Sequence, residues 1–255
     1  MENSIKKGDI IELGQHRLVC GDATDNDLIK KLIGNDKIRL VLTDPPYGVG
    51  YVENKDWLTL RGVESKHFKN HKVMKNDELQ TKENYTDFTS RWIEAIKPYL
   101  EIKNAFYIFN SDLMICALRQ GMIKAKIYYS QLIIWLKNSI VLGRKDYNPQ
   151  HELIAYGWYG SHKFERAKAR SVIAFPKPHR STLHPTMKPI GLLRKLILNS
   201  SKTNDIVYDP FGGSGSTLIA CEQLKRKCLM IELDPDYCKI IIDRYNKLWA
   251  EKQKE

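Results

Sequence analysis

The stretch at residues 38–42 constrains the fold of this chain more than any other feature of the sequence. It is rich in apolar and branched side chains, and it leads directly into the turn Asp44-Pro45-Pro46-Tyr47. Such a run is typical of a parallel strand that is buried on both faces. Similar strand patterns alternate with helical spacing along the chain. This alternation predicts a doubly wound, mostly parallel α/β sheet that binds ligands at the carboxyl ends of its strands.

The predicted elements follow one another along most of the chain. Strands are expected at residues 17–20, 38–42, 104–109, 126–136, 206–208 and 228–231. Helices are expected at residues 25–33, 86–100, 112–120, 189–199, 217–224 and 236–250. A length of 255 residues fits one large α/β domain or two small ones, and residues 1–255 are predicted to form one domain.

Composition excludes several classes of protein. With 42% hydrophobic and 28% charged residues, the chain is predicted to be neither disordered nor fibrous. No apolar run approaches the ~18 residues that cross a bilayer, and the N-terminal residues lack the apolar core of a signal peptide. The 5 cysteines lack the spacing of a zinc site or a disulfide framework. We therefore expect no metal, no membrane contact and a cytoplasmic location.

Positive charge is concentrated in one part of the chain. The sequence has 41 Lys and Arg against 30 Asp and Glu, a formal net charge of +11. Residues 137–195 hold 12 of these basic and 3 of these acidic residues, a net charge of +9, which leaves +2 for all other residues. A basic segment of this kind fits a polyanionic partner such as nucleic acid, or alternatively a solvated basic surface.

A glycine-rich loop, DPFGGSGST at 209–217, follows a predicted strand and opens a predicted helix. Its glycines let the backbone approach a ligand, but it is not a P-loop because no Lys follows the last glycine. Glu232 ends the next predicted strand, where a carboxylate can bind the ribose hydroxyls of a nucleoside. Together these features predict a nucleoside cofactor, whereas a tight βα turn would leave Asp209 and Glu232 unexplained.

The turn Asp44-Pro45-Pro46-Tyr47 suits one chemical task. Its prolines fix the backbone, so the Asp44 carboxylate and the Pro45 carbonyl can accept hydrogen bonds from the same amino group. The exocyclic amine of a base is a poor nucleophile because its lone pair is delocalised, and two acceptors would draw it toward tetrahedral geometry. Tyr47 offers a face for a flipped base. The alternative is a rigid proline turn with a capping Asp44.

These motifs resemble those of beta-class amino-methylating DNA methyltransferases, the modification methylases of bacteria and phages, in which DPPY precedes the cofactor loop. The resemblance covers almost the whole chain, and it extends to GDA at 21–23, HPTMKP at 184–189 and IELDP at 231–235. It implies a Rossmann-like fold with a mixed seven-stranded sheet, helices on both faces and a circularly permuted motif order. It also implies methyl transfer from S-adenosylmethionine, which leaves S-adenosylhomocysteine, to the N6 amine of a flipped adenine in double-stranded DNA.

The resemblance also assigns roles to individual residues. The catalytic residues would be Asp44, Pro45, Pro46 and Tyr47. The cofactor would be bound by Asp22, Ala23, Asp44, His184, Thr186, Lys188, Asp209, Phe211, Gly212, Gly213, Ser214, Gly215, Thr217, Glu232 and Asp234. DNA would be bound by a target-recognition region at about 138–182, through Arg144, Lys145, Tyr147, Lys163, Arg166, Lys168 and Arg170.

Several alternatives stay open. Asp rather than Ser before Pro-Pro-Tyr resembles adenine N6 enzymes more than cytosine N4 enzymes, so cytosine N4 is the first alternative. Cytosine C5 transfer is disfavoured because no cysteine follows a proline. An RNA N-methyltransferase and a catalytically silent DNA-binding protein are less favoured, and a homodimer is left open. Residues 48–83 are predicted to be a mobile loop that closes over the base, or else a disordered surface insertion.

Overall fold

A computed structural model describes residues 5–48, 80–140, 146–166, 168–177 and 187–253. Most of the predicted loop at 48–83 therefore lies outside the described residues, as do Arg144, Lys145, His184 and Thr186 of the predicted site. No helix within these ranges is both long and apolar enough to cross a membrane.

The described residues contain nine strands, which all belong to one sheet. In chain order they are β1 (Ile10–Leu13), β2 (His16–Cys20), β3 (Ile38–Thr43), β4 (Leu100–Asn110), β5 (Tyr128–Leu136), β6 (His151–Trp158), β7 (Val172–Ala174), β8 (Ile206–Asp209) and β9 (Lys227–Glu232). Their order across the sheet is β1-β2-β9-β8-β3-β4-β6-β5-β7. Each of the predicted strands corresponds to a strand of this sheet.

Six α-helices lie within the described ranges. They are α1 (Asn26–Ile33), α2 (Lys82–Ile96), α3 (Ile115–Lys124), α4 (Ile190–Ser200), α5 (Ser216–Gln223) and α6 (Pro235–Lys252). Each corresponds to a predicted helix, although the ends differ. α2 ends at Ile96 rather than near residue 100, and the short 3-10 helix Lys97–Tyr99 follows it. Pro98 explains this difference, because proline has no N–H to continue the helical hydrogen bonds.

The sheet is mixed, as predicted. The neighbouring strands β2, β9, β8, β3 and β4 run parallel, and β6 lies antiparallel between β4 and β5. The strands from β2 to β5 across the sheet form the seven expected strands, and β1 and β7 extend them at the two edges. The count of seven was implied by the family resemblance. The sequence pattern did not predict β1 or β7 either, because strands of 4 and 3 residues are too short to show alternation.

Helices cover both faces of the sheet. Buried side chains of α4, α5 and α6 pack on one face, and those of α1, α2 and α3 pack on the other. Along β9, Cys228 and Met230 belong to the first core, whereas Leu229 and Ile231 belong to the second. Since successive side chains of a strand point to opposite faces, a strand covered on both faces has to be apolar throughout.

The topological switch point of the sheet, where the strand order reverses, lies between the adjacent strands β3 and β8. From β8 the sheet continues to β9, and from β3 it continues the opposite way to β4. The carboxyl ends of two strands at such a point leave a crevice for a ligand. Asp44 follows β3 directly and Asp209 ends β8. The fold therefore brings the two predicted motifs to the same crevice.

Strand β6 lies within the predicted target-recognition region. Residues 151–158 lie inside the predicted interval of 138–182, yet they form an interior strand of the sheet whose residues 153–156 are buried. Residues 153–156 are therefore part of the core, and target recognition by the rest of the interval stays a prediction. The aromatic side chains of this stretch and its basic neighbours resemble a nucleic-acid surface in sequence, and they obscured a strand that belongs to the core.

Candidate active site

A cavity of about 460 Å³ opens at the carboxyl ends of β2, β3, β4, β8 and β9. Its lining includes the turn at 44–47 and most of the glycine-rich loop. It also includes Trp135 at the end of β5, Lys137 and Glu152. The volume lies in the range of small-molecule sites, about 300–1,000 Å³. One continuous space therefore joins the two motifs that the sequence singled out.

Asp44 is held from two sides in this cavity. Its Oδ1 accepts a hydrogen bond from the Tyr47 hydroxyl at 2.7 Å, and its Oδ2 accepts one from Lys188 Nζ at 2.5 Å. Lys188 Nζ also lies 5.8 Å from the centre of the Tyr47 ring. Side chains that line the same cavity therefore engage both oxygens of the Asp44 carboxylate.

Lys188 links Asp44 to a second carboxylate, that of Glu152 on β6. Lys188 Nζ lies 3.3 Å from Glu152 Oε2, and Lys137 Nζ lies 2.6 Å from Glu152 Oε1. The side chains of Lys188 and Lys137 are only 8% and 7% exposed. The four side chains form an ion row, Asp44–Lys188–Glu152–Lys137, with two charges of each sign. Pairing of this kind offsets the high cost of removing charges from water.

Burial and pairing shift the pKa values along the ion row. Burial raises the pKa of Asp44, and the Lys188 ammonium opposes this shift. Burial also acts to raise the pKa of Glu152, but Lys188 and Lys137 hold it below its ordinary value. Burial acts to lower the pKa of Lys188, but Asp44 and Glu152 together raise it. Lys188 is therefore an ammonium ion at neutral pH.

A hydrogen bond between adjacent strands ties the glycine-rich loop to the turn at residues 44–47. Thr43 Oγ1, at the end of β3, donates to Asp209 Oδ1 at 2.7 Å. The same oxygen accepts the Phe211 N–H at 3.2 Å. Burial raises the pKa of Asp209 to about 7. These hydrogen bonds fix where the loop begins relative to Asp44.

Glu232 holds the middle of the glycine-rich loop. Its Oε2 accepts the Gly213 N–H at 2.7 Å, and its Oε1 accepts the Asp234 N–H at 2.9 Å. Gly213 has a φ of 51°, in the left-handed region that glycine favours. Burial raises the pKa of Glu232 to about 7. The carboxylate thus lines the cavity and fixes the backbone of the loop at the same time.

Close packing sets the path of the loop. A Cβ atom on Gly212 would lie 2.7 Å from Cγ and Sδ of Met230 on β9, so the loop approaches the sheet where a larger residue would collide. On the other side, the ring centre of Phe211 lies 5.7 Å from that of Phe88 on α2. The position of the loop therefore depends on the sheet and on α2 together.

Most of the predicted cofactor-binding residues lie together in this cavity. Those that line it are Asp22, Ala23, Asp44, Lys188, Asp209, Phe211, Gly212, Gly213, Ser214, Thr217, Glu232 and Asp234. Gly215 instead precedes α5 as its N-cap, with a φ of 78°. The four predicted catalytic residues line the same cavity. Lys188 was expected to bind the cofactor, and the structure pairs it with Asp44.

The predicted DNA-binding residues do not lie together. The Lys163 carbonyl accepts a hydrogen bond from Arg39, near the amino end of β3, at 3.3 Å. The Glu165 N–H donates to the Asn199 carbonyl, near the end of α4, at 2.7 Å. The segment that holds Lys163 and Arg166 therefore lies at the amino ends of the parallel strands, whereas the cavity lies at their carboxyl ends. Contact of these two residues with DNA stays a prediction.

The other described DNA-binding candidates are exposed. Tyr147 lies in the connection from β5 to β6, its side chain is 91% exposed, and Pro149 two residues later lines the cavity. Lys168 and Arg170 are exposed in the segment that leads to β7. For these three residues, contact with DNA remains a prediction.

Glu152 and Lys137 were not predicted from the sequence. Glu152 is the one acidic residue of strand β6, whose sequence is HELIAYGW, and Lys137 follows β5 directly. A single carboxylate at the end of an apolar strand is the signal that singles out Glu152. Nothing in the local sequence shows that this end of the strand faces Lys188.

Comparison with known proteins agrees with this geometry. The sequence profile of the N6/N4 methyltransferase family, described as DNA methylase, matches residues 38–243 of the chain. The chain belongs to this family. The Type II methyltransferase M.HpaI from Haemophilus parainfluenzae is 26% identical over 253 residues, which cover 89% of this chain and 73% of that protein.

Two solved structures share the fold of this DNA methylase. The M1.HpyAVI–SAM complex is 24% identical, has a TM-score of 0.63, and covers 89% of this chain and 98% of its own. The cytosine-N4-specific PvuII DNA methyltransferase is 16% identical, has a TM-score of 0.68, and covers 90% of this chain and 85% of its own. These likenesses confirm the predicted Rossmann-like methyltransferase fold.

Membership of the family gives the protein's general activity. It is a DNA methyltransferase, and DNA is its substrate. The family name covers both N6 and N4 transfer, and in both cases the methyl acceptor is an exocyclic amine. Such an amine suits the hydrogen-bond acceptors of the Asp44 turn.

We expect Glu232 to make the stability of this DNA methylase depend on pH. The folded state raises its pKa from an ordinary 4.5 to about 7, so the folded state binds an additional proton between these values. The stabilisation is complete below the unfolded pKa, and it is lost as the pH rises toward 7, at up to ~1.4 kcal/mol per pH unit. Urea unfolding from pH 4 to 8 measures this effect as the difference in free energy of unfolding between the wild type and Glu232→Gln.

That difference should change between pH 4.5 and 7 and be constant above this window. Asp209, whose pKa is also about 7, is present in both proteins, so its contribution cancels. A difference that stays constant from pH 4 to 8 would contradict the prediction.

Proposed function

We propose that this DNA methylase transfers a methyl group from S-adenosylmethionine to the N6 amine of an adenine that is flipped out of double-stranded DNA. The observation that carries the proposal is the single cavity lined by Asp44 and by the glycine-rich loop. An amine held at Asp44 and a methyl donor held at the loop would share one space, as direct transfer between them requires.

The residues at the loop fit S-adenosylmethionine. Glu232 offers carboxylate oxygens to the ribose hydroxyls of the cofactor. Asp22 and Ala23 line the part of the cavity beside β2 that suits the adenine ring of the cofactor. At Gly212 the loop lies against Met230 of β9, so a larger residue there would shift the loop backbone that faces the cofactor. The bound cofactor supplies an electrophilic methyl group attached to a positively charged sulfur.

Asp44 and Pro45 would prepare the amine for transfer. The Asp44 carboxylate and the Pro45 carbonyl each accept one N–H, which exposes the nitrogen lone pair to the methyl carbon. As the nitrogen–carbon bond forms and the carbon–sulfur bond breaks, positive charge develops on the nitrogen, and the carboxylate stabilises it. The nitrogen then releases one proton to water, which leaves a neutral methylated amine.

Tyr47 would hold the ring of the flipped base. Burial raises the pKa of Tyr47 well above its usual range, so its hydroxyl stays protonated and donates to Asp44. This hydrogen bond sets the aromatic ring beside the carboxylate. A base stacked on Tyr47 can therefore present its exocyclic amine to Asp44.

Adenine is proposed as the target because Asp44 occupies the position before Pro-Pro-Tyr. This position resembles adenine N6 enzymes, whereas serine there resembles cytosine N4 enzymes. Cytosine N4 transfer is the second candidate, since the fold is shared with the cytosine-N4-specific PvuII methyltransferase. Both candidates use the same two acceptors, and the methylated product distinguishes them.

DNA would approach the cavity along the connection from β5 to β6 and the segment that follows β7. Pro149 of the first segment and Lys177 of the second line the cavity. The two segments meet where the Lys177 N–H donates to Asn138 Oδ1 at 3.0 Å. The exposed Lys177 side chain can contact phosphates, which position a protein on DNA. We place this activity in the cytoplasm of a bacterium or of a phage-infected cell.

The identity of the methylated base tests the proposal. We expect N6-methyladenine when DNA from a methylation-free bacterial host that expresses the protein is digested to nucleosides and analysed by mass spectrometry. N4-methylcytosine would contradict the choice of adenine and support the second candidate. Methyl transfer to RNA alone, or cofactor binding without any methylated product, would contradict DNA methylation by this chain.

Substitution of Asp44 by Ala should abolish transfer and spare the cofactor site. We expect the single-turnover rate to fall by about 10²-fold to 10³-fold or more, because a main stabilising charge is lost at the reacting amine. Lys188 keeps Glu152 as a partner in this variant, so no buried ammonium is left unpaired. Calorimetry should give a dissociation constant for S-adenosylmethionine close to the wild-type value. Undiminished transfer would contradict the role of Asp44.

Lys177→Ala should weaken binding to DNA, with Lys163→Ala as its matched control. Lys177 lines the cavity, whereas the segment of Lys163 lies at the amino ends of the parallel strands, away from the cavity. Loss of a phosphate contact should lower the affinity on every DNA sequence and reduce the slope of log K against log salt by about 1. Fluorescence anisotropy at several salt concentrations measures both quantities. Equal effects of the two substitutions would contradict the proposed path of the DNA.

A further inference from the structure

We propose that Glu152 is a positioning residue that takes the Lys188 ammonium from Asp44 when the target amine binds. The inference rests on the proposed function, since it concerns how Asp44 becomes available to the amine. It assigns a role to a residue that does not touch the reacting atoms and that acts through Lys188.

The target amine has to compete at Asp44 with donors that are already bound there. In the structure, Tyr47 occupies its Oδ1 and Lys188 occupies its Oδ2, with the ammonium at 2.5 Å. An incoming N–H has to share or displace one of these donors. Displacement of Lys188 alone would leave a buried ammonium without a counter-ion, which is strongly unfavourable. A second anion within reach of Lys188 removes this penalty.

Glu152 is that second anion. Its Oε2 lies 3.3 Å from Lys188 Nζ, so a small movement of the ammonium exchanges one carboxylate for the other. Among the described residues, Oε2 is buried and has no hydrogen bond of ordinary geometry. The oxygen can therefore accept a closer contact from Lys188 without giving up another partner.

Glu152 itself is fixed, so Lys188 is the member of the pair that moves. Glu152 lies on the interior strand β6, opposite Trp135 of β5, and Lys137 holds its Oε1 at 2.6 Å. Lys188 precedes α4, and its long side chain passes between aromatic rings, with Nζ 5.2 Å from the centre of the Phe109 ring. A flexible stem can shift an ammonium between two fixed carboxylates.

The exchange would serve the chemical step. While Lys188 is paired with Asp44, its positive charge offsets the carboxylate charge that the reacting nitrogen needs. When the ammonium is held by Glu152, the Asp44 charge is directed to the nitrogen, where positive charge develops. Loss of Glu152 should therefore slow methyl transfer and leave the binding of S-adenosylmethionine nearly unchanged.

Glu152→Gln tests this role, with Glu165→Gln as the matched control. Glu165 is also a largely buried carboxylate in an ion pair, 3.1 Å from Arg39. It lies near the amino end of β3, away from the cavity. Single-turnover transfer of tritiated methyl to unmethylated genomic DNA measures the chemical step. We expect the rate of Glu152→Gln to fall about 10-fold to 100-fold, as for directly coupled residues, with an unchanged cofactor dissociation constant. Glu165→Gln should react at the wild-type rate.

The pH profile separates positioning from a merely structural role. The charge of Glu152 raises the pKa of Asp44, so its removal, with Lys188 left on Asp44 alone, should lower that pKa. The acidic limb of the single-turnover rate should then move to lower pH in Glu152→Gln. A purely structural role would reduce the rate by the same factor at every pH, and that result would overturn the inference.

A second variant keeps the test valid if Glu152→Gln alone fails to fold. Glu152→Gln combined with Lys137→Gln removes one charge of each sign, so Asp44 and Lys188 remain as a balanced pair. This double variant should show the same loss of rate, because Lys188 has lost its alternative partner. Wild-type rates in the double variant would overturn the inference but leave the proposed function intact. Absence of any methyl transfer by the wild-type protein would overturn the proposed function, and the inference with it.

Discussion

The buried ion pair between Asp44 and Lys188 is the interaction on which the rest of the site depends. It joins residues 144 positions apart, one directly after β3 and the other directly before α4. A buried charge has to be paired, and removal of one partner alone costs more than the pair contributes. Glu152 and Lys137 complete the balance. The same row of charges therefore holds the two parts of the chain together and sets the electrostatic environment of the Asp44 carboxylate.

The parallel sheet gives the ion row and the cofactor loop a rigid common frame. Because β3 and β8 are neighbours, Thr43 at the end of one strand can bond Asp209 at the end of the other. Glu232, at the end of β9, holds the loop at Gly213 in the same way. The starting points of the two motifs, at Asp44 and Asp209, are thus spaced by neighbouring strands, which lie about 4.7–4.9 Å apart.

Sequence patterns were sufficient where a segment's own side chains decide its structure. Apolar runs located β3, β8 and β9, and the motifs after them located most of the cavity lining. They were insufficient for β6, whose aromatic residues and basic neighbours resemble an exposed nucleic-acid surface. They also did not show where the segment of Lys163 lies relative to the cavity. Strand β6 carries the chain from the cavity to the amino ends of the parallel strands. Residues that follow β6 therefore lie far from the cavity, although they are close in sequence to the segments that line it.

The sequence by itself determined the fold class, the end of the sheet at which the cavity opens, and the place of the Asp44 turn at that end. Each of these follows from local patterns of apolar residues, prolines and glycines. Only the tertiary structure decided that Lys188 meets both Asp44 and Glu152. The meeting depends on β6 lying antiparallel beside β4 and on α4 beginning at the same edge of the sheet. Contacts between segments more than 100 residues apart are set by how the strands assemble, and no local pattern contains that information.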